Sequence, residues 1–113
     1  MDKASHFDIE ALVMLEEIME DEFPELVRVF IKDSDPRIAA LKNAFDDQDA
    51  DGLREISHSF KGATSNLSAL PLANLCFSIE QKSRAGDLTG VDAIIQQVEV
   101  EYSAVKSILK SML

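Results

Sequence analysis

Apolar residues recur every three or four positions over nearly the whole of this chain, and only 3 Pro and 4 Gly interrupt that rhythm in 113 residues. A period near 3.6 lines such residues along one face of an α-helix, whereas a half-buried strand needs strict alternation. The spacing therefore predicts an all-α chain. A first short helix is expected from about Ile9 to Met19, with Leu12, Leu15 and Met19 on one stripe. A second begins near Asp21 and carries Val27, Phe30, Ile31, Ile38, Leu41 and Phe45. Asp35 followed by Pro36 could cap and restart a helix. The apolar phase nevertheless runs on across Pro36, which favours one long kinked helix.

The acidic stretch Asp46, Asp47, Gln48, Asp49 separates this from a third helix, in which Asp49 serves as N-cap and Asp51 as a favourable first-turn acid. That helix should run to about Leu67. Pro71 suits the first turn of a fourth, which buries Leu72, Leu75, Cys76 and Ile79 and ends near Gly86 in a C-terminal cap position. Thr89 is placed to cap the last helix, whose stripe is Val91, Ile94, Val98, Tyr102, Val105, Leu109 and Met112. Four long amphipathic helices with short connections make an antiparallel four-helix bundle with the first short helix as a lid. The length suits a single domain over residues 1–113, with its core from about residue 7 onward.

Charge narrows the partners. The chain holds 21 acidic and 11 basic residues, a net charge of −10, and the whole excess lies in the first 57 residues, which carry 16 acids against 6 bases. Such a surface repels a phosphate backbone, so neither nucleic acid nor an anionic membrane is an expected partner. A single cysteine, Cys76, cannot form an internal disulfide, and the start lacks the basic and apolar regions of a signal peptide. No apolar run reaches the roughly 18 to 20 residues that cross a bilayer. A soluble, cytoplasmic monomer is expected. Neither GxxxxGK[ST] nor GxGxxG occurs, so the chain carries no sign of a nucleotide site of its own.

The third helix holds the informative residues. With His58 at 0° and about 100° per residue, Leu53, Ile56, Phe60, Thr64 and Leu67 fall between about 160° and 240° and form the buried stripe. Asp51, Arg54, Lys61, Gly62 and Ser65 fall within about 60° of His58, with Glu55 at the edge of that arc. His58 is thus an imidazole pointing into water. Gly62, one turn further along, costs about 1 kcal/mol relative to alanine inside a helix. It lies opposite the core stripe, so open access to the imidazole explains it better than helix packing does. Lys61 can bring its ammonium group to the same patch. A neutral imidazole, a nearby cation and an open approach are what a phosphoryl acceptor needs. The other histidine, His6, is remote in sequence and no ligand spacing suggests a metal site. Ser57 and Ser59 do not form a triad with His58, because adjacent helical residues do not face one another.

The string Ser57-His58-Ser59-Phe60-Lys61-Gly62-Ala63-Thr64-Ser65-Asn66-Leu67-Ser68-Ala69 resembles the signature of histidine-containing phosphotransfer (HPt) domains, of the stand-alone bacterial type. His58 matches the phosphorylated histidine, Lys61 the lysine near the phosphoryl group and Gly62 the glycine that opens access. Leu72 to Cys76, Ile79-Glu80 and Gly86-Asp87-Leu88 are similar to the family's next helix and turn. Ser68 departs from the pattern, which usually has glycine there. The resemblance implies a relay between receiver-domain aspartates, from a hybrid sensor kinase to a response regulator, by a phosphorylated intermediate that is not an ATP-using kinase. It implies no cofactor here, with Mg2+ held by the partner receiver. Asp51, Arg54, Glu55 and Ser65 would surround His58 on the docking surface. The alternative is a helical adaptor that binds through the same face without chemistry.

Overall fold

A computed structural model describes residues 2–113. Five helices follow one another: α1 (Ile9–Met19), α2 (Phe23–Asp46), α3 (Ala50–Asn66), α4 (Leu70–Arg84) and α5 (Val91–Ser111), with 3-10 turns at Lys3–Ser5 and Glu20–Glu22. No strand forms among the described residues. The four long helices form an antiparallel bundle in which α3 packs on α2 and α4, and α5 closes the ring by packing on both α4 and α2. At about 1.5 Å per residue, the 24 residues of α2 span most of the 41 Å long axis. The short α1 lies against the start of α2, burying Leu12 while Leu15 and Met19 rest half-buried on the core.

Local signals act much as the residues dictate. The Asp8 carboxylate accepts from the Ala11 N–H and the Asp49 carboxylate from the Gly52 N–H, capping α1 and α3. Pro36 lies inside an unbroken α2, as the continuous apolar phase requires. Asp35 caps no new helix. Its carboxylate takes the Tyr102 hydroxyl at 2.5 Å and the Lys106 ammonium at 2.9 Å, tying α2 to α5 beside the proline.

Three helices end in the same way. The N–H groups of Gln48 and Asp49, of Ser68 and Ala69, and of Gly86 and Asp87 turn back to carbonyls of the preceding turn, with Gln48, Ser68 and Gly86 at φ of 53°, 59° and 73°. This is the Schellman arrangement, in which the left-handed position favours glycine. Ser68 therefore occupies a glycine-type position without changing the geometry of the ending. Its carbonyl also accepts the Asp8 N–H at 2.9 Å, which fastens the N-terminal segment to the α3–α4 turn.

Several sequence expectations are corrected. The second helix starts at Phe23 rather than near Asp21, because Glu20–Glu22 forms a 3-10 turn. Thr89 does not cap α5: the N-cap is Gly90 at φ 78°, with no side-chain cap, and the Thr89 N–H is taken by the Asp87 carboxylate. On α5 the fully buried stripe includes Ile95 and Ile108, whereas Ile94 and Met112 are half-buried. On α3, Ser57 is buried, with its hydroxyl donating to the Leu53 carbonyl at 2.7 Å, while Ile56 is half-buried beside a surface groove.

Candidate functional site

Packing Leu53, Phe60, Thr64 and Leu67 inward leaves the opposite face of α3 in water. The His58 side chain stands on that face 68% exposed. Its Nδ1 lies 2.8 Å from Glu80 Oε2 on α4. Glu80 itself is only 2% exposed, the least expected residue in the interior of the bundle. It survives there because three positively charged or hydrogen-bonding groups converge on it. Lys61 Nζ stands 2.7 Å from Oε1 as an ion pair, off the axis of a well-formed hydrogen bond. Arg84, one turn along α4, donates to Oε2 at 3.1 Å.

The electrostatics follow from these contacts. Burial opposes the charged form of the Glu80 carboxyl, but the contacts with Lys61 and then His58 outweigh it and hold the group below the usual carboxylate range. A carboxylate that accepts from Nδ1 selects the imidazole tautomer with its lone pair on Nε2, the nitrogen away from Glu80. Lys61 is less free than its wheel position suggests. Its side chain is 28% exposed and its ammonium lies 4.9 Å from the centroid of the Phe77 ring, a cation–π contact that holds it beside His58.

Gly62 occupies the flank of His58 turned toward α2. A Cβ built there would meet nothing within 4 Å. The glycine is thus not required by any neighbour in the free chain, and the space above it is open to an incoming group.

A family model described as Hpt domain matches residues 25–108. The chain belongs to the Hpt domain family. The match runs from α2 into the last turns of α5 and leaves α1 outside it. This Hpt chain is similar to the crystal structure of histidine-containing phosphotransfer protein B (HptB) from Pseudomonas aeruginosa PAO1, with 40% identity, a TM-score of 0.91, and coverage of 95% of this chain and 93% of that one. It is also 28% identical over 91 residues to histidine-containing phosphotransfer protein 2 of Arabidopsis thaliana. That match covers 78% of this chain and 58% of the plant protein's length.

The Hpt bundle brings His58, Lys61 and Gly62 together as the spacing on α3 requires. Asp51, Glu55 and Ser65 are exposed on the same helix and Arg54 is half-buried. Glu55 lines an open groove between α2 and α3 together with Pro36, Arg37, Ala40, Ile56 and Ser59. Arg37 fixes the facing side of α2, donating to Ser59 Oγ at 3.0 Å and to Ser34 Oγ at 3.2 Å, with its guanidinium 5.5 Å from the Phe60 ring centroid.

Sequence reasoning missed Glu80 and its partner Arg84, a buried carboxylate lying directly against His58 and balanced by two cations. A signal was present: Ala73, Cys76, Glu80 and Ser83 are all buried and follow a 3-4-3 spacing, so Glu80 is an acid in the inward stripe of α4. The other histidine, His6, pairs through Nδ1 with Glu101 on α5 at 2.7 Å. Among the described residues no three His, Cys, Asp or Glu side chains converge to hold a metal ion.

Proposed function

We propose that this Hpt protein relays a phosphoryl group between receiver-domain aspartates, from a hybrid sensor kinase to a response regulator, through phospho-His58. The observation that carries this reading is an exposed imidazole whose Nδ1 is held by a buried carboxylate that also anchors Lys61, beside the open space at Gly62. With Nδ1–H donating to Glu80, the Nε2 lone pair attacks the phosphorus of an aspartyl phosphate in line. The N–P bond forms as the P–O bond breaks, and the departing receiver carboxylate keeps the bonding pair. The proton stays on Nδ1, so the ring becomes positively charged next to Glu80, which stabilises it as it forms. Lys61 offsets charge on the phosphoryl oxygens. In the second transfer a receiver aspartate attacks phosphorus and the electron pair returns to Nε2, restoring the neutral ring.

In this reading the chain is a phosphorylated intermediate, a monomer acting in the cytoplasm as a single domain, with no ATP-dependent kinase activity and no affinity for nucleic acid or membrane. Mg2+, where transfer needs it, is held by the receiver's acidic pocket. Docking uses the outward face of α3, with Asp51, Arg54, Glu55 and Ser65 around His58, and extends over the α2–α3 groove at Arg37. Support for the groove is its place on the open, Gly62 flank of the imidazole. Incubation with a phosphorylated receiver domain should leave acid-labile phosphate on the wild-type chain and none on His58→Gln. Equal labelling of the variant would refute the relay. Full cellular signalling by His58→Gln would instead establish the adaptor.

A further inference from the structure

Arg84 has no part in the transfer just described, yet it occupies half of the critical oxygen. Its NH2 group and His58 Nδ1 both contact Glu80 Oε2, at 3.1 and 2.8 Å, while Lys61 faces the other oxygen. One carboxylate therefore holds two fixed cations as well as the imidazole, and the cluster has a surplus positive charge in a chain whose net charge is −10. Lys61 alone would neutralise Glu80. The Arg84 side chain is 64% exposed although the Glu80 it contacts is buried, so the guanidinium reaches Glu80 from the solvent side and keeps donors free to meet a second anion there.

We propose that Arg84 is a second phosphoryl-binding cation, stored on Glu80 while His58 is free and transferred to a phosphoryl oxygen when Nε2 is phosphorylated. The inference rests on the reading of His58 as phosphoacceptor. Phosphorylation supplies both a reason to leave and a place to go. The ring that forms the N–P bond keeps its Nδ1 proton and gains a positive charge, so its hydrogen bond strengthens at the oxygen Arg84 shares. The phosphoryl group brings several acceptor oxygens and negative charge to the same exposed face. A guanidinium fork matches such oxygens two at a time, which an ammonium cannot do. Glu80 is left with the charged ring and Lys61, and the added negative charge meets the surplus cation.

The test needs no protein partner. The wild-type chain, Arg84→Gln and Arg84→Lys are loaded at His58 with phosphoramidate, which is then removed. The half-life of the phosphohistidine and the NMR signals of the Arg84 guanidinium are followed. Phosphorylation should shift the guanidinium signals of the wild type, and Arg84→Gln should lose phosphate about 3- to 10-fold faster, with Arg84→Lys between the two. A purely structural salt bridge would alter melting temperature without moving the half-life. Unshifted Arg84 signals and an unchanged half-life on labelled His58 would overturn this proposal alone. Absence of label at His58 would overturn both it and the phosphoacceptor reading.

Discussion

Replacing Glu80 with Gln removes one charge and almost no volume from the site. The amide oxygen can still accept from His58 Nδ1, so the loss is the difference between a charged and a neutral acceptor. A hydrogen bond to a charged group is worth about 1.5–3 kcal/mol and a neutral one about 0.5–1.5, a difference of about 1–1.5 kcal/mol. A Coulomb estimate for a ring charge about 4 Å from the carboxylate gives about 1 kcal/mol in water and about 4 at an effective dielectric of 20. With the imidazole 68% exposed, the lower part of that range applies, close to the hydrogen-bond difference of about 1–1.5 kcal/mol. At 1.36 kcal/mol per tenfold, Glu80→Gln should slow phosphoryl transfer about 5- to 15-fold. Stability should fall by only about 1 kcal/mol, because the abandoned Lys61 and Arg84 are 28% and 64% exposed and can hydrate. Quenched-flow transfer from a phosphorylated receiver measures the rate, and nitrogen NMR of the His58 ring reports the tautomer. A variant that transfers at the wild-type rate with its lone pair still on Nε2 would refute the role given to Glu80.

Gly62→Ala should raise stability by about 1 kcal/mol, since its Cβ meets nothing and alanine is the better helix former. Gly62→Gln should also preserve helicity but slow transfer, and unchanged transfer kinetics would contradict the steric account. Ser68→Gly should stabilise the bundle by about 0.5–1 kcal/mol in chemical denaturation. Relief of about 1–2 kcal/mol of left-handed strain at φ 59° exceeds the added freedom of the unfolded chain. The Asp35 carboxyl lies below its ordinary range, chiefly through the Tyr102 hydroxyl, against burial and with help from Lys106. Its contribution should be complete above about pH 4 and fade as pH falls through the lowered value. Stability curves of wild type and Asp35→Asn should accordingly converge only in acid, and a constant gap down to the lowest pH would contradict this.

The helices and the orientation of His58 were legible because both depend on periodicity within one segment. Leu53, Phe60 and Leu67 need only a wheel to place His58 opposite them, and Gly62 and Lys61 follow from the same wheel. Pro36 was legible for a similar reason, since Ile31 and Ile38 keep one phase on either side of it. Glu80 was not, because its role depends on the relative rotation of α3 and α4, which neither helix encodes alone. Its inward position could be inferred from Cys76 and Ser83, but its contact with a residue 22 positions earlier could not. Thr89 has the side chain of an N-cap but loses to a competing turn: Asp87 takes the Thr89 N–H, and Gly90 adopts the positive φ that leads into α5. Gln48 and Ser68 show the converse, left-handed helix endings carried by residues that do not announce them.

A relay through His58 requires one particular atom to carry the phosphoryl group. Phosphorus and nitrogen NMR of the labelled chain, after transfer from a phosphorylated receiver domain, identifies that atom directly. The expected spectrum has one phosphoramidate, on Nε2 of His58, with Nδ1 protonated and hydrogen-bonded to Glu80. Phosphate on Nδ1, on His6 or on a serine hydroxyl would contradict it.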